Sequence, residues 1–552
     1  MKIAPILDLR HPRSIPPETF EKALKMAGEG ASVSSAAESL NVPRSTLRDR
    51  LEVHDDCDLP KAVKDALVTP DGERFLARLS IALHVHARNL CACGLRVLSN
   101  LLRDAGLAPF VGTSVAAQWE LAGAIDNAIV TYGQEQQARM APALAGQEIA
   151  LAADENFHEG PCLVAIEPAS NFVVAEKVAS ARGVDDWKAA VEPVLASLGV
   201  RVTQVTSDSG TAILALTESV FGAHHSPDLF HILYDFRRSF APSLRAVRRN
   251  LEGRLKAIEQ EVTTLERVTA RWEALQPEER GRGRAPDIER RRQEQEQLFD
   301  GVNDTLAQFQ RSEDEVASAL KSLSVEYHPV CLMSGCRTGA RSFRETADRA
   351  LAVINKVVTD CELAHGAPEV VLKLERMAVK MVATLDFVES SWRRRALAAT
   401  DDPKQRYALE AWLAPAAYLD RVASRTTALR AHELRARGND LRTAARASIG
   451  EEAVARLEPV ARTMALDFQR SSSMVEGRNG QLSLRHHAFH ELSSLKRSVL
   501  TTLHNYVLTR EDGTTAAERL SGVKPEPLVD WLCRRISSVP AGRPRLILRN
   551  AS

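Results

Sequence analysis

The chain has 552 residues, enough for three or four domains, and its 72 Lys+Arg balance 72 Asp+Glu. That balance excludes a uniformly basic coat for nucleic acid, so any such binding must come from local patches. Eight scattered cysteines, no apolar leader and no run of 18 apolar residues exclude a disulfide-built secreted domain and a membrane span, and a soluble, reduced, cytoplasmic protein is expected. Aromatics at 5% beside abundant Ala, Leu, Arg and Glu predict a mostly helical chain.

After an extended lead-in, residues 17 to 54 carry a compact trihelical pattern: ETFEKALKMAGEG, SVSSAAESLNV and PRSTLRDRLEV. Val33, Ala36, Ala37 and Leu40 face inward, a tight turn follows at Asn41-Val42, and Leu47 and Leu51 close the core from the third helix. This is a helix-turn-helix spacing, assigned to residues 1–56. Pro43 suits the first turn of the last helix, which leaves Arg44, Ser45, Thr46 and Arg48 exposed to reach base edges and phosphates. The bland alternative is a trihelical module that contacts protein. A polar linker leads to a second helical block, residues 57–145, in which 94–102, a stop at Gly106 and a helix from about Ser114 form a weaker helix-turn-helix-like pattern. Trp119 is expected in its core, and Cys91 and Cys93 on opposite sides of a helix, where they bind no metal.

Residues 146–235 change character. Three short β-branched runs, beginning GQEIALAADENF, PCLVAIEPAS and NFVVAEKVA, predict an antiparallel meander. A helix from Asp186 to Leu198 and a fourth strand, Val200 to Thr206, make a crossover to a parallel neighbour. Asp154 ends the first strand and Asp208 follows the fourth; convergent carboxylates of this kind suit a hard divalent cation for phosphoryl transfer. Each also has a local reading, Asp154 as a turn former and Ser207-Asp208-Ser209-Gly210 as the cap of a helix starting near Thr211. Glu155, the strand neighbour of Asp154, faces the other side.

Residues 236–465 read as helical. The basic run FRRSFAPSLRAVRRN, with Arg237, Arg238, Arg245, Arg248 and Arg249, is a candidate for phosphate contact, and apolar steps of three and four from Leu251 onward predict an antiparallel hairpin over about 251–322. His328, Cys331 and Cys336 lack a fourth metal ligand of paired spacing. Trp392 beside Arg393, Arg394 and Arg395 either touches DNA or packs with its arginine stems along the surface. In 466–552, Glu476, Asn479 and Leu482 share one helix face within SSSMVEGRNGQLSLRHH, and DGTTAAERL follows nearer the end.

The order β-β-β-α-β-α with Asp154 on the first strand and Asp208 after the fourth resembles the ribonuclease-H-like core of DDE transposases of bacterial insertion sequences. The stretch around Glu476 is similar to their N-x-x-E-x-x-N neighbourhood, with Ser472 or Ser473 where Asn is common, and DGTTAAERL is similar to their DGTTPAERL segment. The long gap before Glu476 resembles the subgroup with a helical insertion, and Asp228-Leu-Phe-His231 fits its Cys/Asp-x-x-His motif. The resemblance implies an α/β ribonuclease-H-like core with a mixed five-stranded sheet embedded in a mostly helical chain. It implies catalytic and metal-ligating Asp154, Asp208 and Glu476, with Asp228, His231 and Asn479 supporting them. Two Mg²⁺ ions about 4 Å apart, with Mn²⁺ able to substitute, would serve DNA strand cleavage and transfer. The implied partners are double-stranded DNA, as element ends and target, and further copies of the chain in a dimer or higher oligomer, with no membrane, in a bacterial cytoplasm at the nucleoid. Asp228 and His231 also read as a hydrogen-bonded pair at the core edge. Two other functions fit parts of the sequence, a non-catalytic DNA-binding relative and a coiled-coil scaffold.

Overall fold

The computed structural model describes residues 7–8, 15–55, 59–157, 160–276, 278–279, 287–363, 366–489 and 492–540. The chain is mostly helical with one five-stranded mixed sheet. It divides into two compact units, one of Met1–Val202 with Ser473–Ser552 and one of Thr203–Ser472. No helix among the described residues is long and apolar enough to cross a membrane.

The first unit opens with helices Pro17–Gly28, Val33–Ser39 and Arg44–Asp55. Ser32 caps the second by accepting from the Ser35 N–H at 3.2 Å, and Asn41 takes the left-handed turn at φ 51°. Phe20, Ala23, Ala36, Ala37, Leu47 and Leu51 are buried together, so the small alanines let the helices approach closely. Pro43 precedes the third helix instead of occupying its first turn; its carbonyl accepts the Leu47 N–H, the bond that starts the helix.

Beyond this module a helix, Pro70–Leu83, runs into a π-helical turn, His84–Leu90, and helices Leu95–Asp104 and Val115–Leu144 follow. Two expectations need correction here. Cys91 and Cys93 lie beyond the π turn and not on a helix. Trp119 is 72% exposed, because Gln118, Leu121, Ala122 and Ile125 form the buried stripe of its helix and position 119 falls off it.

Strands β1 (Glu148–Phe157), β2 (Pro161–Glu167), β3 (Phe172–Val178), β4 (Arg201–Ser207) and β5 (His224–Pro227) form the sheet, in the order β3-β2-β1-β4-β5. The meander β1-β2-β3 is antiparallel, with Asp154 opposite Val164 and Val164 opposite Glu176. The helix Val184–Leu198 supplies the crossover and stops at Gly199, which takes φ 68°. Strands β4 and β5 run parallel.

The C-terminal helices complete the first unit. Asn505, on the helix Ser494–Tyr506, extends the edge of β3 by giving and receiving backbone bonds with Val173, both at 2.9 Å. DGTTAAERL works as a clasp: Thr515 caps the helix Ala516–Ser521, and Arg519 donates to the Ser170 carbonyl in the turn between β2 and β3 at 2.9 Å.

Helices of the second unit surround a large apolar core. Helices Leu229–Glu273 and Ile288–Glu326 pair antiparallel through Arg248–Glu313 and Arg291–Glu261, with Leu251, Val302 and Phe309 as a satellite core. The expected hairpin of 251–322 reaches too far, since Val316, Ala319 and Leu320 belong to the main core. Trp392 resolves in favour of packing. It is buried, donates to the Met464 carbonyl at 2.7 Å, and its neighbour Arg395 forks onto Asp467 at 2.9 and 3.0 Å.

Candidate functional site

Within the first unit one cross-strand row decides the geometry. Residues directly opposite in an antiparallel pair share a face, so Asp154, Val164 and Glu176 point the same way from β1, β2 and β3. The helix Ser473–Phe489 covers that face, burying Val475 and Leu482 against Ala152, Val164 and Ile166. Asn479 donates its amide to Asp154 Oδ2 at 3.1 Å, and its carbonyl accepts from Asn156 Nδ2 at 3.4 Å. From the preceding position, Arg478 Nε donates to Glu176 Oε2 at 2.6 Å, a pair in which both side chains are buried. These contacts fix the helix that carries Glu476, a half-buried acid in its first turn, where the positive end of the helix dipole favours negative charge.

Glu155 does face away from Asp154, accepting from Trp187 Nε1 at 3.4 Å and pairing with Arg182 at 3.2 Å. Glu176 and Arg478 were missed in the sequence. The available signal was a carboxylate directly after the apolar run FVVA, a residue that stays buried only when paired.

The second unit holds Asp208, Asp228 and His231 around one cleft, which Asp235, Phe236 and Lys373 also line. Asp208 sits in the turn after β4 and accepts the Gly210 N–H at 2.9 Å, a turn bond and not the expected cap, since the helix Thr211–Ala215 starts at Gly210 without a side-chain cap; Ser209 completes the turn at φ 72°. Ser207 Oγ bonds His225 Nε2 at 2.9 Å, and the Ser207 carbonyl accepts the Asp228 N–H at 2.9 Å, which ties the ends of β4 and β5. Asp228 is 1% exposed and caps the helix Leu229–Glu273. Its Oδ1 accepts the Phe230 and His231 N–H groups at 2.7 and 3.3 Å, while Oδ2 accepts the Ser472 N–H at 2.7 Å and the Ser472 hydroxyl. The expected Asp228–His231 pair is therefore made through the His231 backbone. Ser472, where Asn was expected by resemblance, is the residue that closes this cap. Burial holds His225 and its neighbour His224 down to a pKa of about 4; His224 also stacks on Phe387 at 4.5 Å.

Of the expected phosphate and base contacts, Arg44, Ser45 and Arg48 are exposed and Thr46 is half-buried. The Arg48 guanidinium is held at 3.1 Å by Asp49 and at 3.8 Å from Glu52. Arg237, Arg238 and Arg249 are exposed. Arg248 instead pairs with Glu313 across the hairpin, which removes it as a ready phosphate ligand.

Against known proteins, residues 409–547 match a family of unknown function, DUF6399. That stretch contains the helix of Glu476 and the Thr515–Arg519 clasp. No curated protein and no solved structure matches the chain.

Proposed function

We propose that this protein is a DDE-type transposase that cleaves and joins DNA strands at the ends of a mobile element with divalent metal. The observation that carries the reading is the Asn479–Asp154 bond at 3.1 Å, which sets the helix of Glu476 against the strand of Asp154. The sheet order β3-β2-β1-β4-β5, with Asp208 after β4, supports it. Asp154, Asp208 and Glu476 are hard oxygen donors of the type Mg²⁺ and Mn²⁺ select, and would hold two ions. When bound, these ions would activate an attacking oxygen and stabilise the leaving one.

The chain's own part is positioning. Asn479 orients Asp154, the Arg478–Glu176 pair locks the helix of Glu476, and Asp228 with Ser472 holds the end of β5 beside the turn of Asp208. The trihelical module, through Arg44, Ser45, Thr46 and Arg48, would bind the terminal repeats of double-stranded DNA, and a dimer or larger assembly would bring two ends together in a bacterial cytoplasm.

The test is metal-dependent nicking of DNA carrying the element's own ends. Asp154→Asn, Asp208→Asn and Glu476→Gln should each abolish cleavage and leave DNA binding nearly intact, since each removes a metal ligand and not the recognition surface. A Glu476→Gln protein that cleaves at the wild-type rate sinks the trio. Specific binding by a wild-type protein that never cleaves would favour the non-catalytic DNA-binding reading.

A further inference from the structure

One exposed face of the helix Leu229–Glu273 is unlike any ordinary solvated face. At about 100° per residue, Phe230, Tyr234, Arg237, Arg238, Arg245 and Arg249 fall within an arc of roughly 120°. Leu233, Phe236 and Phe240 occupy the opposite, buried side. Phe230 and Tyr234 are 55% and 51% exposed and stack on each other with ring centroids 6.0 Å apart and planes 13° from parallel. Large aromatics left in water as a parallel pair do not serve the core. Between Leu229 and Asn250 the sequence holds one carboxylate, Asp235, which lies off this face and pairs with Lys373 at 3.2 Å. Arg237 and Arg238 have no ion pair or hydrogen bond among the described residues. Arg245 and Arg249 use only Nε, on carbonyls of their own helix.

We propose that this face binds an unpaired DNA strand, with bases stacking on the Phe230–Tyr234 platform and Arg237, Arg238, Arg245 and Arg249 following the phosphates. Aromatic faces accept any base, and guanidinium groups in a row accept a polyanion, Arg248 at the same angle on the helix being taken up by Glu313; together they are the two parts of sequence-tolerant single-strand binding. From Phe230 to Arg249 the helix rises about 28 Å. A stacked strand at about 3.4 Å per nucleotide places roughly eight nucleotides along it. The platform starts two residues after Asp228, which lines the same cleft as Asp208. Resting on the proposed strand-transfer function, the inference names what lies beside that cleft: a frayed or released strand end, not intact duplex.

The experiment measures fluorescence anisotropy of the full chain with a labelled oligothymidylate of about 20 nucleotides and with a blunt duplex of equal length, in EDTA so that cleavage plays no part. Phe230→Ala/Tyr234→Ala should weaken oligothymidylate binding by roughly tenfold or more per lost stacking partner and duplex binding much less, and Phe230→Trp/Tyr234→Phe should restore it. Arg237→Gln/Arg238→Gln should lower the salt slope for the single strand by about 1.4. Both side-chain sets are exposed, so unchanged circular dichroism and melting are expected and serve as the folding control. Single-strand affinity unchanged in the aromatic variant overturns the proposal. So does an equal loss on duplex, or binding of anionic phospholipid vesicles or of protein in place of oligonucleotide. Asp208→Asn should bind the oligonucleotide like the wild type. Binding that behaves as expected in a protein that never cleaves DNA overturns the catalytic reading alone, and cleavage by an aromatic variant with unchanged single-strand affinity overturns the platform alone.

Discussion

The helix of Glu476 and the turn of Asp208 are held in place by different physics. Under Glu476 the anchor is a buried ion pair, Arg478–Glu176, in which Glu176 Oε1 and Arg478 Nη2 make no hydrogen bond. Around Asp208 the anchor is a buried carboxylate, Asp228, surrounded by three backbone N–H groups and a hydroxyl, and a neutral Ser207–His225 bond. A buried pair depends on both members, because losing one strands a charge in a poor dielectric. A cap spreads the same task over several modest bonds, each of which can be lost alone. The first support should therefore be brittle, and the second graded.

The sharpest way to break that contrast is Arg478→Met, which leaves Glu176 buried without its partner. It should cost about 3–5 kcal/mol of stability, and Arg478→Met/Glu176→Leu should recover most of it, since an under-satisfied pair is replaceable by apolar side chains of similar volume. Thermal and urea unfolding of the three proteins decide it; a cost under about 1 kcal/mol for the single variant would mean that the pair is not a keystone.

Asp228→Ala should cost less, about 2 kcal/mol, as the cap and the Ser472 bonds go together. Asp228→Asn should fall between, because its amide oxygen still accepts at the cap. If Asn and Ala variants unfold alike, the cap is not what holds the end of β5.

Alkali, more than acid, should separate the two units next. His224 and His225 are held to about 4 by burial, below the ordinary 6.5, so between those values the unfolded chain binds more protons than the folded one. Stability should then fall as pH drops from 6.5 toward 4, by up to about 1.4 kcal/mol per pH unit for each histidine, and His225→Gln should flatten the slope by one proton. His84 and His504 behave alike in the first unit, which has an alkaline window as well. Burial lowers Lys496 to about 8 beside Asp126, so that unit should gain stability as pH rises from 8 toward 10.5. Unfolding curves that do not shift in either window would count against these assignments.

The smallest effect is expected in the outer hairpin. Replacing residues 256 to 298 with a short Gly/Ser link should leave melting nearly unchanged, whereas deleting 251 to 322 also removes Val316 and Leu320 from the main core and should destabilise the second unit by several kcal/mol. Equal melting of both deletions would show that the satellite and main cores are one.

The sequence by itself determined what short range can determine. Apolar spacing set the three helices of 17 to 55 and their buried alanines, alternation and turns set the β1-β2-β3 meander, and Asp208 and Asp228 were visible as acids at element ends. Periods of two and of 3.6 residues are written locally, so the inward face of each element follows from its own residues. Tertiary structure decided everything that required two distant partners to meet. Glu176 became the anchor of the helix of Glu476 only because β3 lies in the same row as Asp154. Ser472 became the source of two of the four donors to Asp228 although 244 positions separate them. Trp392 went into the core and Trp119 out of it, and Arg248 was taken up by Glu313. In each case the side chain's energy depends on the dielectric and the partner it meets after folding, and neither is encoded in its neighbours along the chain.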